Sequence, residues 1–179
     1  MAYQKNIGHE MAVYNIKGAI LHEKHRNPDA RIVGVGVDIE HAFNGTWKEL
    51  VLAKAKDTHK IQNTIWNISR HMLNTVTYQV DVHGHLTDQQ AQQTGMAQGP
   101  TMSPTYFNIS MSPLLEELDD GTIGIQIGDR KILGAAWSDD LILLTTEDKL
   151  QQTLDKVHAT MKKYKKMTNK DKVYIVPMW

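Results

Sequence analysis

The chain has 179 residues, no cysteine, and equal numbers of acidic and basic side chains, 20 of each. This length corresponds to one domain, or to part of one, and is enough to bury a hydrophobic core. The missing cysteines exclude disulfides, thiolate metal sites and cysteine nucleophiles, and they suit an intracellular, reducing compartment without identifying one. No apolar run is long enough to cross a bilayer, and the start lacks a signal-peptide pattern, so we expect no membrane partner.

The zero net charge is unusual for a protein that binds nucleic acid by itself, because phosphate contacts normally need an excess of Lys and Arg. The charge is unevenly spread along the chain. Residues 156–172 contain seven lysines and a single acid, Asp171. Such a run fits either a solvated helix face or a surface that contacts phosphates, and composition leaves both open.

Hydrophobic periodicity predicts an alternation of helices and strands in the first half of the chain. In chain order we predict a helix at 8–25, a strand at 31–39, helices at 47–55 and 61–73, and a strand at 75–82. The first helix should end before Asn27-Pro28-Asp29. His83-Gly84-His85 should form the turn after the last of these strands. A polar hairpin tip is favoured there over a metal site, because no third ligand is near in sequence.

The second half is predicted to contain two helices and several strands. Ser103 is a natural N-cap for a helix that runs to about Leu118, and Pro113 should kink that helix or end it early. We expect strands at 122–127, 131–137, 141–145 and 172–176. A helix should carry one apolar stripe, formed by Leu150, Leu154, Val157, Met161 and Tyr164. An antiparallel sheet with helices packed on one face, an α+β fold, is the predicted class.

Acidic residues occur at strand ends in two places. Asp38 closes the apolar run RIVGVGVDI, and Asp139-Asp140 lies between the apolar runs LGAAW and LILLTT. Ser-Asp-Asp is a common turn sequence, so an ordinary turn is one interpretation. If the pair joins a third carboxylate, it forms a hard-oxygen site that suits Mg²⁺. Two such ions can activate a 3′-hydroxyl and stabilise a leaving diphosphate.

Four segments resemble motifs A to D of reverse transcriptases and occur in the same order as in that family. The resemblance is to non-LTR retrotransposon and group II intron-like enzymes in particular. They are VGVDIEHAFNGTW, GMAQGPTMSPTYFNISMSPLLEEL, KILGAAWSDDLILLTTEDKLQQTLDKV and Asn169-Lys170-Asp171-Lys172. The resemblance implies a polymerase palm that occupies residues 1–179 as a single domain. Residues 1–30 would be a connecting helix, 31–145 would hold motifs A to C, and 146–179 would hold a helix, motif D and a closing strand.

The resemblance also implies roles for individual residues. Asp38 and Asp139 would bind the metal ions with help from the backbone carbonyl of Ile39, and Asp140 would be a less direct third acid. The catalytic set would therefore be Asp38, Asp139 and Asp140, with two Mg²⁺ or Mn²⁺ ions if the enzyme is active.

Nucleotide-binding roles are implied for four more residues. Phe43 matches the steric gate against a ribose 2′-hydroxyl, although a core aromatic is the alternative. Gln98 and Gly99 match the loop beside the incoming nucleotide, with a plain loop before a helix as the alternative. Lys172 matches the lysine near the nucleotide phosphates, with a solvated lysine at a strand edge as the alternative.

Several features depart from the family pattern. Trp137-Ser138 precedes the two aspartates where the family has Tyr or Phe followed by Ala or Met, and Asn44 replaces an aspartate that is frequent in motif A. Neither change removes a metal ligand, although Trp137 could crowd the site. We also expect the fingers and the thumb to be absent from this chain.

Two functions follow from the sequence. The first is RNA-directed DNA polymerisation on an RNA template and a DNA primer, by a palm that needs other domains or protein partners and is inactive as an isolated chain. The second is a palm retained as a structural module in a ribonucleoprotein, without catalysis. An RNA-dependent RNA polymerase fits less well, because Phe43 and the loop at Gln98-Gly99 match reverse transcriptases better.

Overall fold

A computed structural model describes residues 8–178, without the side chains of His9 and Lys170. Phe43–Ser110 forms one compact unit, and the described residues before and after it form another. The α-helices are α1 (His9–Arg26), α2 (Lys48–Asp57), α3 (Asn63–Asn74), α4 (Ser103–Leu118) and α5 (Leu150–Lys163). The strands are β1 (Ile32–Glu40), β2 (Thr77–Tyr78), β3 (Asp81–Val82), β4 (His85–Leu86), β5 (Gln90–Ala91), β6 (Ile125–Ile127), β7 (Arg130–Ile132), β8 (Gly134–Trp137), β9 (Asp140–Thr146), β10 (Met167–Thr168) and β11 (Tyr174–Pro177).

A five-stranded antiparallel sheet organises the unit that contains β1. Strand β1 lies between β9 on one side and both β10 and β11 on the other, and β8 pairs with the far side of β9. The odd-numbered side chains of β1, from Val33 to Ile39, are all buried. The predicted α+β class with an antiparallel sheet is confirmed. Within residues 8–178, the structure contains no helix with the length and apolarity that a bilayer crossing requires.

The other face of β1 carries glycines, because neighbouring side chains come very close to its backbone. A methyl group added to Gly36 would overlap the ring of Tyr174, and one added to Gly34 would overlap the tip of Met178. The next even-numbered residue is Asp38. The alternation of Val and Gly therefore gives β1 one buried apolar face. On the other face, two closely covered glycines are followed by Asp38.

The part of helix α1 around Ala19 covers the end of the sheet that is distant from Asp38. Its Ala19 packs with Ile32, Ile125 and Leu144 in a buried cluster. Helix α5 follows the predicted stripe only in part: Val157 and Met161 are buried, and the hydroxyls of Thr153 and Thr145 are hydrogen-bonded at 2.9 Å. A threonine pair therefore joins the start of α5 to β9.

Helix α4 corrects the predicted N-cap, and the early end that was one of the two outcomes predicted for Pro113 does not occur. Ser103 is inside the helix, and its buried hydroxyl donates to the carbonyl of Ala97 at 2.8 Å instead of capping the helix. Pro113 does not end the helix, which continues to Leu118. An internal proline costs about 3 kcal/mol. Leu114 and Leu118 are both fully buried, and each contributes about 2 kcal/mol through burial, which outweighs that cost.

The strand predicted at 75–82 is interrupted. The segment contains two short strands on one arm of a single long hairpin: β3 pairs with β4 near the tip, and β2 pairs with β5 further from it. Between β2 and β3 the amide of Val80 donates to the hydroxyl of Thr87 at 3.0 Å, and the carbonyl of Val80 accepts from the amide of Thr87 at 2.9 Å. A side chain therefore replaces one of the two backbone bonds of the ladder. His83 and Gly84 have positive φ values of 52° and 85° and form the turn, whereas His85 belongs to β4.

The strand predicted at 131–137 is divided at Gly134, whose φ is 141°. The segment before it, β7, pairs with β6, and the segment after it, β8, pairs with β9. A single straight strand could not serve both partners. The bend at Gly134 therefore brings the Trp137 end of the segment into the main sheet.

Candidate metal centre

Two aspartates face each other across the central pair of strands. Asp38, near the end of β1, is the register partner of Asp140, the first residue of β9. Directly opposed residues in antiparallel strands project on the same face, with Cβ atoms about 4.5–5.5 Å apart. The same face of β8 presents Trp137, which pairs with Asp140 from the other side. Asp38, Asp140 and Trp137 thus form one row across three strands.

Asp139 belongs to the turn of the hairpin rather than to a strand. Because Trp137 pairs with Asp140, the connection between β8 and β9 consists of Ser138 and Asp139 alone. Two-residue hairpin turns require positive φ in the turn, and Ser138 supplies it with φ of 57°. The apolar runs before and after this turn pair with each other, so the sheet holds the adjacent acids at its edge.

The row is electrostatically crowded. Partial burial raises the pKa of Asp140, the charges of Asp139 and Asp38 raise it further, and Lys172 acts in the opposite direction. Like charges disfavour each other's ionised form. The charges of the carboxylates therefore repel one another, and a nearby cation would stabilise the row.

Lys172 already contacts this row. Its ammonium group lies 3.3 Å from Oδ2 of Asp38; the lysine side chain is 63% exposed and that of Asp38 is 19% exposed. The amide of Asn169 donates to the carbonyl of Asp38 at 3.0 Å. Ile39, whose carbonyl was a predicted ligand, is a buried residue of β1 that pairs with Thr168 of β10.

The donor chemistry of the row fits Mg²⁺, because carboxylate oxygens are its preferred protein ligands. The side chains are not gathered around a common point, however. Among the described side chains of residues 8–178, no three His, Asp or Glu groups are arranged closely enough to hold one ion. Asp38 is engaged with Lys172 instead. Binding of one ion by all three acids would thus require side-chain rotation.

Phe43, Gln98 and Gly99 belong to the unit formed by Phe43–Ser110. The half-buried ring of Phe43 stacks on the fully buried ring of Phe107, with centroids 4.7 Å apart and planes 17° from parallel. The carbonyl of Phe43 accepts a hydrogen bond from the amide of Met96 at 2.9 Å. Phe43 therefore has a structural role in this unit.

Gln98 and Gly99 are exposed in the loop before α4. Gly99 has φ of 110°, and nothing lies within 4 Å of the position that a Cβ atom would occupy. The backbone conformation, and not crowding, is what demands glycine there. The hydrogen bond from Ser103 to Ala97 at 2.8 Å fixes the end of this loop.

The lysine-rich run does not form a single surface. Lys156 binds Asp120 and Thr122, and Lys163 binds Glu117 at 2.6 Å. Lys166 is 6% exposed, and its burial lowers its pKa to about 8. Neither interpretation made from composition anticipated a buried lysine. The one sequence signal for it is its position two residues beyond Tyr164, where the helical stripe ends.

Comparison with known proteins decides the family. A sequence model described as reverse transcriptase (RNA-dependent DNA polymerase) matches residues 3–177. The chain belongs to this family. The reverse transcriptase resemblance inferred from motifs A to D is thereby confirmed.

Among curated proteins, this reverse transcriptase palm is similar to the RNA-directed DNA polymerase from mobile element jockey of Drosophila melanogaster. The two are 26% identical over 113 residues, which is 63% of this chain and 12% of the relative. The palm thus spans about an eighth of that protein's length.

Two solved telomerase structures share the fold. One is telomerase from Candida albicans in complex with a fragment of telomeric RNA, with a TM-score of 0.73 and 13% identity over 95% of this palm and 30% of that chain. The other is telomerase from Candida tropicalis without its C-terminal domain, with a TM-score of 0.66 and 15% identity over 97% of this palm and 36% of that chain.

Proposed function

We propose that this chain is the palm of an RNA-directed DNA polymerase whose Asp38, Asp139 and Asp140 hold two divalent ions, Mg²⁺ or Mn²⁺, for nucleotidyl transfer. The observation that carries the proposal is the register of the hairpin. It sets Asp38 opposite Asp140 and leaves Asp139 in the turn between β8 and β9. A sheet gains nothing from opposed like charges, so a function that needs them is the better explanation.

The residues of the chain would act mainly by position. Asp38 and Asp139, with the carbonyl of Ile39, would hold the ions, and Asp140 would keep the local charge negative. When bound, the ions supply positive charge that activates a primer 3′-hydroxyl and stabilises a leaving diphosphate. Because phosphoryl transfer depends on positioning and charge stabilisation, these few groups would be enough for the contribution of the palm to catalysis.

The nucleotide would be bound by residues outside the acid row. Lys172 would contact its phosphates, and its exposed side chain beside Asp38 supports this role. Phe43 would exclude a ribose 2′-hydroxyl, and its anchored stack on Phe107 supports a rigid gate. Gln98 and Gly99 would border the base, where the positive φ of Gly99 supports a close backbone approach.

RNA template and DNA primer are the proposed partners. The family description names RNA-dependent DNA polymerisation. The zero net charge predicts that the chain alone binds a duplex weakly. We therefore propose that polymerisation needs further domains or protein partners. The same charge balance favours the second candidate, a palm that acts as a structural module in a ribonucleoprotein.

Metal binding tests the site, and primer extension tests the activity. We expect Asp38→Asn and Asp139→Asn each to weaken Mn²⁺ binding at least about tenfold, because each removes a charged ligand. Asp129→Asn, in the turn between β6 and β7, is the control and should bind Mn²⁺ like the unmodified chain. Equal binding by all variants would refute the metal site.

The isolated chain should show no template-dependent incorporation of deoxynucleotides with either ion. Incorporation that is lost in Asp139→Ala would prove the expected inactivity wrong. If a longer form of the protein binds Mn²⁺ at these acids and still extends no primer, the structural module becomes the better description.

A further inference from the structure

The contact between Lys172 and Asp38 has the geometry of a counter-ion that can leave. The two charged groups are 3.3 Å apart. The carboxylate is largely enclosed, with 19% of its side chain exposed, whereas 63% of the lysine side chain is exposed. Ion pairs with one well-exposed partner are weak and sensitive to salt. The lysine is therefore the partner that can move away.

The backbone beneath Lys172 is fixed, although its side chain is exposed. The amide of Lys172 donates to the carbonyl of Asn169, and the amide of Asn169 donates to the carbonyl of Asp38, both at 3.0 Å. The side-chain oxygen of Asn169 accepts from the amide of Asp171 at 3.2 Å. The turn at Lys170–Lys172 is thereby tied to β1. The ammonium group thus remains within one side-chain length of Asp38 even when the pair opens.

The lysine also acts on the rest of the row. Asp38, which it contacts, lies opposite Asp140 in the register, and Asp139 lies in the adjoining turn. A cation at this position thus offsets part of the repulsion among the acids. A divalent ion held by the same acids would do this more strongly, because it carries twice the charge and bonds directly to oxygen.

We propose that Lys172 is an exchangeable counter-ion of the acid row: it pairs with Asp38 when no divalent ion is bound, and ion binding releases it to contact the phosphates of the incoming nucleotide. This rests on the proposed metal site at Asp38 and Asp139. It explains why the described acids are not gathered around one point, since Asp38 is turned toward the lysine. Lys172 is a nucleotide-binding residue in this scheme.

The exchange predicts opposite effects on two affinities. Removal of the lysine charge removes a competitor for Asp38, so a divalent ion should bind more tightly. The same removal takes away a phosphate contact, so a nucleoside triphosphate should bind less tightly. A lysine that merely stabilises the turn would change neither affinity, and a lysine that only binds phosphate would leave ion binding in the absence of nucleotide unchanged.

The experiment uses the 179-residue chain with Lys172→Met, Lys172→Arg and Lys149→Met. Lys149 is an exposed lysine beyond the opposite end of β9. The seven residues of β9 separate it from the acid row by roughly 20 Å, well over one Debye length at physiological salt. Both Met variants lose the same charge, so Lys149→Met controls for net charge. Mn²⁺ affinity is measured by electron paramagnetic resonance, and a fluorescent deoxynucleoside triphosphate is titrated by anisotropy at saturating Mn²⁺.

We expect Lys172→Met to bind Mn²⁺ roughly two- to tenfold more tightly at physiological salt, with a smaller difference at high salt. The triphosphate should bind more weakly to this variant by a similar factor. Lys172→Arg should restore both affinities toward those of the unmodified chain, and Lys149→Met should change neither.

Two results would overturn the exchange. In the first, Mn²⁺ affinity in Lys172→Met is unchanged or reduced while Asp38→Asn still weakens binding, so the metal site stands and the counter-ion role is wrong. In the second, Lys149→Met tightens Mn²⁺ binding as much as Lys172→Met does. If Asp38→Asn has no effect in any background, the proposed metal site itself has failed, and the exchange fails with it.

Discussion

The packing of Tyr174 on Gly36 predicts a substitution whose effect on stability changes sign. Alanine at position 36 would place a methyl group where the ring of Tyr174 lies. Tyr174 as a residue is 53% exposed, so its ring can swing toward solvent. The expected cost is therefore the lost packing of the ring and not a forced movement of the sheet.

The magnitude follows from the area involved. An enclosed tyrosine buries roughly 150–250 Å². The covered half of Tyr174 thus corresponds to roughly 100 Å², or about 2.5 kcal/mol at 25 cal/mol per Å². Replacement of a glycine inside a strand by alanine gains about 0.5–1 kcal/mol through lower chain entropy. Gly36→Ala should therefore destabilise the chain by about 1.5–2 kcal/mol.

The same substitution in a Tyr174→Ala background meets no ring, so it should stabilise the chain by about 0.5–1 kcal/mol. The double-mutant cycle should then give a coupling of about 2.5 kcal/mol. Unfolding in urea, followed by circular dichroism, measures all four variants. Gly18→Ala is the control, because nothing lies within 4 Å of its added methyl group in α1. Equal destabilisation by Gly36→Ala in both backgrounds would show that the ring does not rest on Gly36.

Two further predictions concern pH. The pKa of Asp140 is raised, so ionisation of this carboxyl costs folding stability. Asp140→Asn should therefore stabilise the metal-free chain at neutral pH. The gain should vanish below the unfolded-state pKa, at about pH 3–4, because the native carboxyl is then protonated in both states. Urea unfolding in a chelator checks this, and a gain that persists unchanged at pH 3 contradicts it. Burial lowers the pKa of Lys166 to about 8, so the unmodified chain should gain about 2 kcal/mol of stability between pH 7 and pH 10, with proton release from the folded state first. Lys166→Met should remove most of this pH dependence of stability. It should also be the more stable form at pH 7, even though it loses the hydrogen bond that Lys166 donates to the carbonyl of Ala42 at 3.3 Å. An unchanged pH profile would contradict a buried ammonium group.

The long periodic elements could be predicted from the sequence, and the short ones could not. Helix α1, strand β1 and helix α4 lie within a residue or two of their predicted bounds, because each has a sustained hydrophobic pattern. Strands β2 to β5 contain two residues each and are exposed. Side-chain contacts such as the one from Val80 to Thr87 decide where they break, and no local pattern encodes such contacts.

The candidate site shows the same division. The two acidic positions could be recognised from apolar runs that end in aspartate. The contact between Lys172 and Asp38 could not, since it depends on how β10 and the turn at Lys170–Lys172 attach to β1. The burial of Lys166 was equally hidden, because a lysine-rich run does not show which of its members faces the core.

The strand pattern itself determines which face of β1 carries the acid. In IVGVGVDIE the odd positions are Val and Ile, and the even positions after Ile32 are Gly, Gly, Asp and Glu. A slip of one residue in register would turn every side chain to the opposite face. It would drive Asp38 into the apolar layer that Val37 and Ile39 now occupy, where an unpaired carboxylate costs several kcal/mol. The same slip would bring branched side chains against the ring of Tyr174, where only glycine fits. Both penalties act in the same direction, so the packing that stabilises the sheet also fixes Asp38 opposite Asp140.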